Sequence, residues 1–371
     1  MNVPLLDLVA QYRAIKDDVL PAVQAVIETQ VFIMGGSVAQ LETEVAKLSH
    51  AKYGIGCASG TDALLLALKA LRLQPGDEVI TTPFTFFATA GAIHNAGGTP
   101  VFVDIDPDTF NIDVKAVERA ITPRTRAIVP VHLYGQMADI ERLLQITQTR
   151  HIPIIEDAAQ AIGARRKIDG EWRMAGELGW VTGYSFFPSK NLGAWGDGGM
   201  MVTSDTAAAE RLRKLRLHGG AKQYHHEEVG LNSRLDTLQA AILLAKLPHL
   251  AAWSAARRDN AAYYSRGLAG ITGVRPPVTD PANEHIFHQY TLRAERRDQL
   301  QARLKEKGIG SAVYYPIPLH RQECFAHLGY KPGSMPNAER AATEVISLPI
   351  YPELSRPQMD YVIETIRGFY A

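Results

Sequence analysis

The sequence predicts an α/β fold, with a large domain on a mostly parallel sheet and then a smaller α+β C-terminal domain. Three observations carry this. From Asp77 to Asp157, short apolar and β-branched runs alternate with helical segments, as parallel strands alternate with crossover helices. Two more apolar runs, Val181–Phe187 and Met200–Thr203, flank a loop holding Lys190, Gly193, Gly196, Gly198 and Gly199, and read as buried strands. The pattern changes at Pro248, so the domains are placed at residues 1–247 and 248–371.

The chain's 371 residues suffice for two domains with a large core. Lys plus Arg and Asp plus Glu both number 39, so no basic excess points to nucleic acid and no acidic tail to a solvating segment. Cys57 and Cys324 lie far apart without a CxxC partner, which disfavours a disulfide framework or zinc site and fits a reducing cytoplasm. The first residues meet acids too early for a secretion signal, and no apolar run reaches membrane-spanning length.

In chain order, residues 1–50 read as an extended arm followed by helices. Ser37 is a candidate cap for a helix through Leu48 that carries Val38, Leu41, Val45 and Leu48 on one face. Tyr53–Cys57 is a strand. Ala58-Ser59-Gly60-Thr61-Asp62 then opens a helix that is apolar nearly all round. Strands are expected at Asp77–Thr82, Thr99–Asp104, Ala127–His132 and Ile152–Asp157. Helices are expected at Thr85–Asn95, Asp113–Ile121, Asp139–Thr149 and 205–217. Gly219–Gly230 reads as a loop, and Asn232–Leu247 as a helix capped by Asn232 or Ser233. Beyond Pro248 come a helix over Ala251–Leu268, a strand over His285–Arg293, a helix over Asp298–Lys307 and a strand over Ser311–Tyr315. Helices near Ala338–Val345 and Arg356–Gly368 follow.

Four features carry chemistry. Lys190 sits in a loop between buried strands, where lost solvation disfavours the ammonium and frees a nucleophilic amine able to form a Schiff base. The competing reading is a solvated loop lysine. The Gly60–Asp62 turn aims helix N-terminal N–H groups outward, which suits a phosphate; ordinary capping by Thr61 or Asp62 competes. Asp157 ends a strand, where open α/β sheets bind ligands, and could keep a pyridine nitrogen protonated or simply cap a helix. Phe84, Phe86 and Phe87 are core candidates, one of which could face a bound ring. The run His225-His226-Glu227-Glu228 invites a metal reading, but adjacent loop residues lack fixed tetrahedral geometry.

Six motifs occur together and in order: Ala58–Leu64, Glu156–Gln160, Ser185–Lys190, Gly196–Gly199, Asn232–Ala241 and Tyr315–His320. With them the chain resembles the DegT/DnrJ/EryC1/StrS family of nucleotide-sugar aminotransferases, most of all bacterial members that aminate carbon 3 of a keto-sugar. The resemblance implies the aspartate-aminotransferase fold (fold type I), pyridoxal 5'-phosphate as cofactor with a pyridoxamine 5'-phosphate form between half-reactions, and a homodimer with shared active sites. It implies Lys190 as the Schiff-base lysine, Asp157 as partner of the ring nitrogen and Gln160 beside the ring hydroxyl. Gly60, Thr61, Asp62 and Ser185 would hold phosphate, and Phe86 would stack on the ring. Asn232 would reach phosphate from the other subunit. Arg234, Tyr314, Tyr315 and His320 would contact the sugar nucleotide. Glutamate is the expected amino donor, and surface polysaccharide or lipopolysaccharide the expected destination of the product. The first substrate expectation is a UDP-linked 3-keto-hexose with an N-acetyl group at carbon 2, a uronate being one form, with Arg234 as the carboxylate partner; a dTDP-linked 3-keto-6-deoxyhexose is the second. Related dehydratases carry histidine in place of the lysine, so Lys190 favours transfer; a ligand sensor on this fold ranks last.

Overall fold

The computed structural model describes residues 1–222 and 224–371. Gln223, within the segment read as a loop, lies outside the described residues. The chain opens with helices α1 (Leu8–Thr29) and α2 (Gly36–Leu48), strand β1 (Tyr53–Cys57) and helix α3 (Gly60–Ala70). Then β2 (Glu78–Thr81), α4 (Ala88–Asn95), β3 (Thr99–Phe102), α5 (Val114–Ala120), β4 (Thr125–Val129), α6 (Ile140–Gln148) and β5 (Ile155–Asp157) alternate as the sequence predicts. A hairpin of β6 (Arg165–Ile168) and β7 (Glu171–Met174), which the sequence reading did not include, precedes β8 (Val181–Ser185) and β9 (Gly199–Thr203).

Apart from the β6–β7 hairpin, which is antiparallel and lies in a separate sheet, these strands form one sheet in effect. One group is ordered β1-β9-β8-β5 and the other β3-β2-β4. Parallel bridges Ile128↔Ile154 and Val131↔Asp157 join β4 to β5. Only β9 runs against its neighbours, so the carboxyl ends of the other strands open on one edge. Apolar clusters cover both faces, with α3, α4 and α7 (Thr206–Leu215) on one side and α2, α6 and α8 (Thr237–Lys246) on the other. Burial on both faces explains why these strands read as apolar runs rather than alternating ones.

After α8 come α9 (Leu250–Leu268), β10 (Val274–Arg275), β11 (Asn283–Glu284), β12 (Tyr290–Ala294), α10 (Arg297–Glu306), α11 (Pro336–Glu344), β13 (Val345–Leu348) and α12 (Arg356–Tyr370). The antiparallel sheet β10-β12-β13 packs with α9, α10 and α12 around a separate core. Val3 belongs to that core and bridges Ile309, so the chain's start packs with its C-terminal third.

Several local expectations change. Ser37 caps nothing: α2 begins at Gly36 with Gly35 as its N-cap and no side-chain bond. Residues 311–315 form no strand, and Ala312 makes only a bridge to Ser347. The helix expected near Ala338–Val345 ends at Glu344, and Val345 instead opens the fully buried strand β13, where burial overrides helical continuity. The predicted helix start at Asn232 moves to Thr237. Residues 232–236 are extended instead, because Asn232 bridges Leu217 and the Ser233 amide bonds the Arg216 carbonyl.

Candidate active site

The site grows from the strand ends. After β1 the chain turns at Ser59 into α3, and this turn is wedged between the end of β8 and the start of β9. A Cβ on Gly60 would lie 2.5 Å from Ser185 Cβ, and one on Gly199 would lie 2.3 Å from the Ser59 carbonyl oxygen. Only glycine permits that approach. The cap is neither Thr61 nor Asp62. Ser59 Oγ accepts from the Asp62 amide at 3.1 Å. Asp62 instead accepts from Ser233 Oγ at 2.7 Å, and Ser233 Oγ accepts from the Ala58 amide at 3.2 Å. The amides of Gly60 and Thr61 have no acceptor among the described residues, and Gly60 stands against Ser185. Two free first-turn amides at the positive end of an 11-residue helix make a corner suited to an anion.

Asp157 closes β5 at the same edge and is buried. Its Oδ2 accepts from Thr89 Oγ1 at 2.7 Å and its Oδ1 from the Ala159 amide at 3.2 Å. No cation forms an ion pair with it among the described residues. Burial accordingly raises its pKa, against the pull of Thr89, Ala159, Lys190 and His132. Lys190 faces this carboxyl from the loop after β8, where its amide bonds the Phe187 carbonyl at 2.8 Å. The Lys190 ammonium makes no hydrogen bond or ion pair among the described residues. Burial lowers its pKa to about 8, with Asp157 pulling the other way. The lowered pKa raises the amine fraction near neutrality, and the amine is the nucleophilic form.

Beside Asp157, the buried Gln160 accepts from the Tyr134 amide at 2.6 Å and donates to Tyr315 Oη at 3.2 Å. Tyr315 is thereby drawn to the carboxylate cluster, and burial, with Asp157 next, raises its pKa. Phe86 lies 6.3 Å from the Tyr315 ring and is 59% exposed, so one flat face is free, whereas Phe84 is fully buried. Tyr314 lines a cavity of about 60 Å³ with Ser189, the residue before Lys190, and with His288 and Gln289. His320 does not join them. It is buried, its Nε2 pairs with Glu339 Oε1 at 3.0 Å, and its ring meets Tyr330 edge-on. Those contacts make it a strut under α11.

Asn232 and Arg234 do face together, by strand alternation rather than on a helix. Ser233 and Leu235 point inward, fully buried, so their neighbours point outward. The Arg234 guanidinium has no hydrogen-bond or ion-pair partner among the described residues.

Sequence reading missed several supporting residues. His132 and Glu156 are a fully buried pair at 2.6 Å behind Asp157. The Ala138 amide donates to His132 Nδ1, so Nε2 carries the proton toward Glu156. Burial opposes the Glu156 charge, but His132 and the amides of Gly179 and Gly176 hold its pKa below the ordinary range. The acidic doublet at 156–157 was visible, but its two opposite facings were not. Glu227 and Glu228, part of the metal reading, are bound to Lys214 and Arg211.

Comparison with solved structures gives the class. DesV of Streptomyces venezuelae, crystallised with a ketimine intermediate, is 43% identical, with TM-score 0.96 over 100% of this chain and 98% of that one. A Bacillus subtilis protein holding the cofactor PMP is 32% identical, with TM-score 0.90 over 99% and 85%. The fold is the α/β aminotransferase fold. Residues 13–367 match the DegT/DnrJ/EryC1/StrS aminotransferase family, and the chain belongs to it as a sugar aminotransferase. Among curated relatives, a pleiotropic regulatory protein of Geobacillus stearothermophilus is 54% identical over 100% of this chain and 99% of its own. A UDP-N-acetyl-3-dehydro-alpha-D-glucosamine 3-aminotransferase of Acidithiobacillus ferrooxidans is 46% identical over 98% and 97%. A dTDP-3-amino-3,4,6-trideoxy-alpha-D-glucose transaminase of Streptomyces venezuelae is 43% identical over 99% and 96%. No helix among the described residues is long and apolar enough to cross a membrane.

Proposed function

We propose that the chain transfers an amino group from glutamate to carbon 3 of a UDP-linked 3-keto-hexose bearing an N-acetyl group at carbon 2, with a uronate as one form. The observation that carries this is the unpartnered Lys190 amine over the cation-free Asp157, in a chain 46% identical to a UDP-sugar 3-aminotransferase.

Pyridoxal phosphate fits the donor set. Gly60, Thr61 and Ser185 offer an anion corner, with Asp62 bracing the turn through Ser233. Asp157 lacks a cation, which a protonated pyridine nitrogen would provide. Phe86 offers a ring face, and Gln160 lies at the edge of the same cluster. When bound, the cofactor supplies an aldehyde carbon and an electron-accepting ring. Lys190 Nζ would hold it, and when free would serve as the base and acid that moves a proton at the donor carbon. Asp157 keeps a negative charge at the ring nitrogen throughout. Tyr314 and Tyr315 shape the small-domain wall.

Asn232 and Arg234 face away from their own core, which supports a homodimer in which they complete the site of a second copy. The exposed Phe187 and Trp195 support it too. Light scattering showing a monomer would contradict the shared site. We place the domain boundary near Pro248, with residues 3–6 on the C-terminal core.

A dTDP-linked 3-keto-6-deoxyhexose is the second reading, on the strength of the 43% identical transaminase. Turnover with glutamate and UDP- or dTDP-linked 3-keto-sugars separates them. UDP-sugar should be preferred, and Arg234→Lys should slow the uronate selectively, since only Arg grips a carboxylate with two prongs. Faster dTDP-sugar turnover with no Arg234→Lys effect would overturn the proposal. A cofactor absorbance band inert to glutamate would favour sensing over transfer.

A further inference from the structure

Thr89 in α4 is buried beside Asp157. Its hydroxyl donates to Asp157 Oδ2 at 2.7 Å, and its oxygen lies 3.1 Å from Thr85 Oγ1. The direction of this chain follows from its last acceptor. An ionised carboxylate only accepts, so the single Thr89 proton goes to Asp157 and the Thr85 proton goes to Thr89. A threonine inside a helix commonly bonds back to the carbonyl one turn earlier. Thr89 bonds instead to the site carboxyl and to the side chain of Thr85. Thr85, Phe86 and Thr89 lie on one short stretch, so the segment that sets the exposed Phe86 ring also sets a carboxylate oxygen of Asp157.

Other groups around Asp157 act less directly. Lys190 and His132 favour its charge through space, and Tyr315 approaches from the C-terminal part of the chain. Among the described residues, Thr89 is the side chain that donates a hydrogen bond to the Asp157 carboxylate, and the Ala159 amide is the backbone donor.

We propose that Thr89 is a positioning residue for amino transfer: its hydroxyl fixes Asp157 Oδ2 and keeps that carboxylate charged, so that the ring nitrogen of bound pyridoxal phosphate keeps its proton. This rests on the cofactor reading above. Losing the donor makes the carboxylate more basic, and the shared proton moves from nitrogen toward Asp157.

The test uses the full chain reconstituted with pyridoxal phosphate carrying ¹⁵N in the ring, as wild type, Thr89→Val and Thr89→Ser. Wild type and Thr89→Ser should show a protonated ring nitrogen by NMR. Thr89→Val should move toward the unprotonated shift and lose about tenfold in turnover, while borohydride still traps the cofactor on Lys190. A wild-type ¹⁵N shift in Thr89→Val overturns the role of Thr89. Should that variant fail to fold, Thr89→Ala is read by the same criterion. An unprotonated ring or no Lys190 adduct in wild type would instead bring down the cofactor reading, and the role of Thr89 with it.

Discussion

Two lysines in this protein have their pKa lowered by burial to about 8, and their surroundings differ. Lys246, in α8, is almost fully buried, and its Nζ donates to the Gly193 carbonyl at 2.7 Å and to Gln11 Oε1 at 3.0 Å. It ties the arm helix α1 to the glycine-rich loop that carries Lys190. Lys190 has a carboxyl nearby and no hydrogen bond among the described residues. A lowered pKa therefore does not mark a nucleophile by itself. What separates the two is whether the amine is already spent on fixed acceptors or remains free at the edge where a phosphate corner, a carboxylate and an aromatic face converge.

The largest effect expected is for Lys190→Ala. Turnover should fall by at least about 10³-fold, because the variant loses both nucleophile and proton carrier. Pyridoxamine phosphate should still bind, as a titration of its absorbance would show. Asp157→Asn comes next, with a loss of roughly 10²-fold and cofactor retained. It also has a signed pH consequence. Asp157 raises the Lys190 pKa, so removing its charge should move the midpoint for cofactor capture below that of the wild type. Stopped-flow absorbance against pH reads this, and an upward shift would contradict the geometry. The smallest effect belongs to Lys246→Met. Two acceptors lose a donor, for about 1–2 kcal/mol of stability in chemical denaturation, while turnover stays within a few-fold. If Lys246→Met were as inactive as Lys190→Ala, the contrast between the two lysines would collapse.

The same contrast shows how much was legible in the sequence. The alternation of strands and helices, the glycine-flanked Lys190 loop and the strand-end Asp157 were readable because backbone geometry dictates them. Gly60 and Gly199 stand where no Cβ fits, and Asp157 ends a strand whose period sets its facing. Facing on irregular segments was not readable. His320 follows a proline-stiffened turn, but a buried bond to Glu339 decides its direction. Asn232 and Arg234 share a face, but on an extended segment held by Ser233 and the Leu217 bridge rather than on the expected helix. Thr89, His132 and Lys246 carried no motif. Their importance comes from contacts across 68, 24 and 53 positions of sequence, which only the folded chain brings together.

The central claim is that Lys190, and not the equally shifted Lys246, bonds the cofactor. Borohydride reduction of the pyridoxal phosphate-loaded protein, followed by proteolysis and peptide mass mapping, tests it most directly. The expected result is one phosphopyridoxyl adduct, on Lys190, absent from Lys190→Ala and retained in Lys246→Met. An adduct on Lys246 or any other lysine in the wild-type protein, with Lys190 unmodified, would contradict the account.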